Sequence, residues 1–168
     1  FVPKWSEEID YTEVSIKGGD YTEKDIDTIV LEDAYMDAAI ESMMQMGIDK
    51  KKTIVFTNSI QHADLTAACL REKGVKALPF HSKQDKGLSD LTLEAFKSNT
   101  PQEIGKDGLF GSNPMLECKV IVAVNKISIG FDAPDIQLGV MMRKTAVRSL
   151  FYQQVGRLIR TNPGKEYA

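Results

Sequence analysis

From Lys52 onward the sequence alternates between short apolar runs and longer amphipathic stretches, and this alternation limits the fold more than any other feature. The strictest run is Val120-Ile121-Val122-Ala123-Val124, apolar at every position. A strand with one wet face alternates apolar and polar residues, so an uninterrupted run predicts a strand covered on both sides. Thr53–Phe56, Val75–Phe80 and Ile136–Met142 read as further strands. Between them, Ser59 is placed to cap a helix that runs to Lys73 and ends at Gly74, and another helix is expected from about Leu88 to Lys97. Strands separated by helices pair in parallel, because the helix returns the chain to the starting edge of the sheet. The expected class is α/β, a parallel sheet with helices on both faces.

Residues 1–49 carry 13 acidic and 3 basic side chains (Lys4, Lys17, Lys24), a net of −10, and the rest of the chain nets +7 within an overall formal charge of −3. This split marks 1–49 as an acidic lead-in and 50–168 as the domain proper. A generally basic nucleic-acid sponge is excluded, whereas the C-terminal two-thirds can face a polyanion. In the lead-in, Thr12–Lys17 alternates as a short strand ended by Gly18-Gly19, and Thr22 is placed to cap an acidic helix to about Val30. A second helix from about Asp33 to Met46 carries Ala34, Ala38, Met43 and Met44 as core filling and closes at Gly47. Residues 98–118 are rich in Gly, Pro, Asn and Ser and are expected to form an exposed insertion loop, held down by Leu109 and Phe110. Cys69 and Cys118 lack metal-ligand spacing and read as buried free thiols in a reducing, cytoplasmic setting. No apolar run is long enough to cross a bilayer. A start at Phe1 rather than methionine reads as a piece of a larger protein.

In open parallel sheets, ligands bind beyond the carboxyl ends of the strands. A polar cluster follows each expected strand here. Thr57-Asn58-Ser59 follows the first and opens a helix whose free N–H groups suit a phosphate. His81-Ser82-Lys83 follows the second. The third is followed by residues 125–134, NKISIGFDAP, in which Gly130 permits close backbone approach and Asp132 can accept from a hydroxyl. The fourth leads through Arg143-Lys144 into residues 145–160, TAVRSLFYQQVGRLIR. At ~100° per residue, Gln153, Arg157 and Arg160 share one stripe of that helix, opposite Val147, Phe151, Val155 and Leu158. Arginine keeps its charge and grips phosphate oxygens with a planar fork of donors, so the stripe presents charge to something phosphorylated. On its own, the same stripe also describes a solvated helix face.

IVFTNS, VIVAVNKISIGFDAP and QQVGRLIR, at these separations, resemble motifs IV, V and VI of superfamily 2 helicases, and the resemblance covers residues 50–165. KGGDYTEKDI, NSIQHAD and RKTAVRSLFYQQVGRLIRTNPGK are similar to the branch that includes type III restriction subunits and DNA-repair helicases. The resemblance implies a RecA-like second lobe, a P-loop NTPase-like fold without the Walker A loop. Asn162-Pro163-Gly164-Lys165 lacks the spaced glycines and the Ser/Thr of a phosphate cradle, so the lobe alone is expected not to hydrolyse ATP. It implies that ATP with Mg2+ lies against an N-terminal RecA-like lobe, which supplies the main hold on the Mg2+, with no metal-ligating residue assigned in the present chain. Arg160 then matches the arginine finger, Arg157 its companion, and Gln153 the link between nucleotide and motif V. Gly130 and Asp132 match the motif V pair, with the aspartate near the ribose. Asn58, Ser59, Asn125 and Ser128 match positions that hold the nucleic-acid backbone, and His81 and Lys83 fall near a further strand-contact segment. DNA is the track the branch resemblance implies, and Val124-Asn125, standing where the DEAD-box branch has Thr-Asp, counts against an RNA chaperone of that type. Two readings stay open beside this one: the motor lobe of a type I or III restriction subunit, and a non-catalytic scaffold for nucleic acid or protein. A small mononucleotide transferase is disfavoured, since Thr57-Asn58-Ser59 is not a glycine-rich turn.

Overall fold

A computed structural model describes residues 14–18, 20–98, 102–103, 115–124, 135–144, 147–149, 152 and 155–156. The chain opens with an antiparallel hairpin of β1 (Ile16–Lys17) and β2 (Asp20–Tyr21), which turns at Gly18 with a left-handed φ of +64°. Helices α1 (Glu23–Val30) and α2 (Asp33–Gln45) follow. Then come β3 (Thr53–Phe56), α3 (Ile60–Glu72), β4 (Ala77–Phe80) and α4 (Lys86–Ser98). The short strands β5 (Gln102–Glu103) and β6 (Met115–Leu116) pair antiparallel, and β7 (Val120–Ala123) and β8 (Leu138–Met141) complete the order.

Four strands form one parallel sheet in the order β4-β7-β3-β8. The step from β3 through α3 to β4 moves one way across the sheet, and the step from β4 through α4 to β7 moves back. Crossovers of one hand in opposite directions put their helices on opposite faces. The period of two along each strand then sorts the core. Val55, Val120 and Val122 pack with α2 and α3 through Met36, Met43, Ala67 and Leu70. Ile54, Phe56, Ile121 and Ala123 pack on the other face with Phe96 of α4. The all-apolar run of β7 is buried at every position, as a strand covered on both sides requires.

Several local expectations change. In α2 the inward stripe is Met36, Ile40 and Met43, while Ala34 and Ala38 face water. Thr22 occupies the N-cap position of α1 without a side-chain cap, since its hydroxyl goes to the Asp25 carboxylate at 2.5 Å. Two strand ends are trimmed, because Val75 and Ile136 are buried beyond the ladder rather than within it. The two ends of the insertion are tied by β5 and β6 rather than left as loop; Leu109 and Phe110 lie outside the described residues. Cys118 is buried and Cys69 half-buried, both free, and burial pushes the Cys118 thiol up to about 12. Among the described residues, no helix is long and apolar enough to cross a membrane.

Candidate functional site

The register aligns Phe56, Ala123, Phe80 and Met141 in one row. Because the strands are parallel, the residues that follow each of them emerge along a single edge. Backbone bonds seal it: the Thr57 N–H donates to the Ala123 carbonyl at 3.0 Å, Val124 to Phe80 at 3.3 Å and Met142 to Phe56 at 2.9 Å. The chain leaves β3 toward β4 and leaves β7 toward β8, so the crevice of the topological switch lies between the ends of these two neighbours.

Asn58 stands at that crevice. It is 6% exposed, and its side-chain Nδ2 has no hydrogen-bond partner. A buried amide donor left unmet costs about 1–3 kcal/mol. Ser59 caps α3, its hydroxyl accepting from the His62 N–H at 3.0 Å. The first turn of α3 carries no acid of its own, but α1 brings Asp27 beside Ser59. Burial raises the Asp27 carboxyl above its ordinary value, and the Ser59 hydrogen bond opposes this. His62 is fully buried with neither ring nitrogen bonded, and burial depresses it to about 4. The start of α3 is therefore a cap beside polar groups, the Asn58 Nδ2 and the His62 ring nitrogens, that no described residue satisfies.

At the second strand end, the His81 imidazole meets Asp64 of α3 through Nε2 at 3.0 Å, and its backbone N–H donates to the Gln84 side chain at 3.2 Å. Gln84 in turn donates to the Pro79 carbonyl at 2.7 Å, which fixes the turn. Lys83 projects from that turn, exposed. At the fourth strand end, Arg143 pairs with Asp20 of β2 at 3.6 Å, and the Lys144 ammonium lies over the Tyr21 ring, 5.8 Å from its centre. The edge thus brings together Asn58, Ser59, His81 and Lys83 from the residues singled out above. Asn125, Ser128, Gly130, Asp132, Gln153, Arg157 and Arg160 lie outside the described residues. Residues 148–149, 152 and 155–156 are helical; Val155 is half-buried, as is Val147 just before them, and Arg148, Ser149 and Tyr152 are exposed.

Sequence reading missed Asp64, Gln84, Asp20, Tyr21 and Asp27. Gln84, three residues past His81, was within reach as a turn clamp. The others are held by pairings between distant segments and leave no periodic trace. Among the described residues, no cluster of three or more His, Cys, Asp or Glu could hold a metal ion.

Comparison with known proteins gives this architecture a setting. The family described as the helicase conserved C-terminal domain matches residues 35–162. The 51.5 kDa protein of Lactococcus phage (isolate 7-9) is 27% identical over 152 residues, which are 90% of this chain and 29% of the phage protein. The ATP-dependent RNA helicase glh-4 of Caenorhabditis elegans is 38% identical over 50 residues, 30% of this chain and 4% of that protein. The chain therefore spans under a third of either relative's length. Among solved structures, the Pyrococcus furiosus Hef helicase domain superposes with a TM-score of 0.52 at 26% identity, over 77% of this chain and 24% of that one. The C-terminal domain of the DEAD-box protein Dbp5 gives 0.55 at 16% identity, over 80% and 67% of the two chains. Domain 2 of the DEAD-box helicase Mss116p, bound to an RNA duplex, gives 0.54 at 16%, over 79% and 46%. At 16% identity these last two show a shared fold alone.

Proposed function

This chain belongs to the helicase conserved C-terminal domain family, as the C-terminal lobe of a superfamily 2 helicase, and from that premise we propose that it is the second motor lobe of an ATP-dependent helicase or translocase acting on DNA. The observation that carries the reading is the family match over residues 35–162 on a sheet whose strand ends share one polar edge. In this proposal residues 1–49 lead in from an N-terminal RecA-like partner, with α2 packed onto the sheet of the motor domain, 50–168.

The donors at the edge fit phosphate chemistry. Asn58 offers an amide without an acceptor, and the α3 amino end offers backbone N–H groups with a partial positive charge. Since the Ser59 hydroxyl is committed to its cap, Ser59 grips the strand through its backbone. Asn125 and Ser128 add to the same sequence-independent hold on phosphate and sugar, and His81, steadied by Asp64, and Lys83 extend it. Gly130 and Asp132 receive the ribose side of the nucleotide. Arg160 steadies charge on the γ-phosphoryl group, Arg157 assists, and Gln153 couples the nucleotide to motif V. ATP with Mg2+, when bound against the N-terminal lobe, supplies the phosphoryl-transfer chemistry; this lobe's part is to present cations and to move with the cleft. The DNA reading follows the resemblance to the restriction and DNA-repair branch, and Val124-Asn125 in place of Thr-Asp speaks against an RNA chaperone of the DEAD-box type.

The test is ATP hydrolysis by the full-length protein with single-stranded DNA, branched DNA or RNA, beside its Arg160→Ala form. DNA should stimulate turnover, and the variant should lose about 1,000-fold in kcat while binding ATP nearly as well. Near-normal hydrolysis by Arg160→Ala would overturn the finger assignment, and stimulation by RNA alone would overturn the DNA track.

A further inference from the structure

The hairpin at the fourth strand end has no part in the reading above, although it touches the segment from which the arginine helix departs. The geometry points to Asp20 and Tyr21 as positioning residues: by clamping Arg143 and Lys144 they set the direction in which the helix bearing Arg157 and Arg160 leaves the sheet. This rests on the motor reading just proposed.

Two consecutive residues of β2 hold two consecutive residues after β8, by different chemistry. Asp20 takes the Arg143 guanidinium at 3.6 Å, and Tyr21 offers its ring face to Lys144 at 5.8 Å. Neither partner of the ion pair is well solvated, with side chains 24% and 13% exposed, so water weakens it less than a surface pair. A double grip of this kind restrains rotation as well as distance.

The clamp can transmit force because both of its sides are rigid. Gly18 sets the hairpin turn, and the Thr22 N–H returns to the Ser15 carbonyl at 3.0 Å. The Asp25 carboxylate gathers the Ser15 N–H at 3.2 Å, the Ser15 hydroxyl and the Thr22 hydroxyl, locking hairpin to α1. Ile26 and Val30 then fasten α1 inside a small core with Val14. On the other side Met142 is buried and bonded to Phe56 at 2.9 Å.

Leverage makes the clamp matter. On a helix of the length expected for 145–160, Arg160 lies roughly 18 Å beyond Arg148, so a tilt of about 5° at the base moves it by roughly 1.5 Å. A displacement of about 1 Å at reacting groups can cost on the order of 100-fold in rate.

The experiment compares the full-length protein with its Asp20→Asn, Asp20→Glu, Tyr21→Leu and Tyr21→Phe forms in DNA-stimulated ATP hydrolysis, thermal melting and amide hydrogen exchange over residues 145–160. We expect Asp20→Asn to lower kcat by roughly tenfold with KM for ATP and Tm almost unchanged. Asp20→Glu should restore most of the rate. Tyr21→Leu should show a smaller loss that Tyr21→Phe lacks, and exchange over 145–160 should quicken in Asp20→Asn. Unchanged kcat and exchange in Asp20→Asn would overturn the clamp, as would a raised kcat, which would make the hairpin a brake. A loss of kcat that follows a loss of Tm, without rescue by Asp20→Glu, would reduce the pair to a structural one and also overturn it. Absence of hydrolysis in the unaltered protein would refute the motor reading instead, and hydrogen exchange would still decide the clamp.

Discussion

At the amino end of the sheet Lys52 is 4% exposed, and its ammonium meets the Asp135 carboxylate at 2.6 Å, the Lys97 carbonyl at 3.2 Å and the face of the Phe96 ring. At the carboxyl end Asn58 and His62 are also buried, and their side-chain nitrogens Nδ2, Nδ1 and Nε2 have no hydrogen-bond partner among the described residues. The harder group to bury, a full charge, is the one that the fold satisfies. The easier ones, among the described residues, are left short near the carboxyl ends of the strands. Departures from polar satisfaction that persist in a native fold concentrate where function requires them. The difference teaches that the amino end serves the fold, while the carboxyl end carries a polar cost that the proposed function would put to use.

The largest effect should come from breaking the satisfied end. Asp135→Ala strands a buried ammonium and is expected to cost about 3 kcal/mol in urea unfolding, whereas Lys52→Met removes the charge as well and should cost about 1 kcal/mol. Equal costs for the two variants would show that Lys52 is not held as described. The unsatisfied end is probed by pH. Unfolded, the His62 imidazole protonates near 6.5; folded, burial holds it unprotonated to about 4. Between these values the unfolded chain binds more protons, so stability falls as pH drops from 6.5 to about 4, by about 3 kcal/mol in all, and levels off below. His62→Leu should remove that slope and be more stable than the original at pH 5. An identical pH slope in the variant would show that His62 carries no such cost. The smallest effect on folding should be that of Asn58→Ala, a gain of at most about 1 kcal/mol, because it removes a buried Nδ2 donor with no partner among the described residues. The same change should weaken DNA binding by the full-length protein about five-fold. A large loss of stability with binding intact would reverse the contrast between the two ends.

Much of this was legible along the chain. The uninterrupted apolar run of β7 called for helices on both faces, and both are present. Ser59 before a helical pattern announced a cap, and its hydroxyl makes one. The α2 stripe is half legible: Met43 and Met44 do pack on the core, but Met36 and Ile40 fill it where Ala34 and Ala38 are expected, because the apolar residues are spread round the helix axis. At the edge, Asn58 and His81 were readable as residues that follow strands. Their condition was not. An unmet amide and an imidazole pinned to Asp64 depend on what packs around them.

The sequence by itself determined the α/β class, the parallel pairing, the buried strands and the cap of α3, because each is written in residues close together and repeats with the period of its element. Tertiary structure alone decided the order β4-β7-β3-β8, the meeting of Lys52 with Asp135 and of Asp20 with Arg143, and the orphaned nitrogens of His62. The reason is physical. Loop-closure entropy grows only slowly with separation, so distance along the chain scarcely discriminates between one remote partner and another. The choice among remote partners falls to the packing of the whole domain, and with it the choice of which polar groups go unmet.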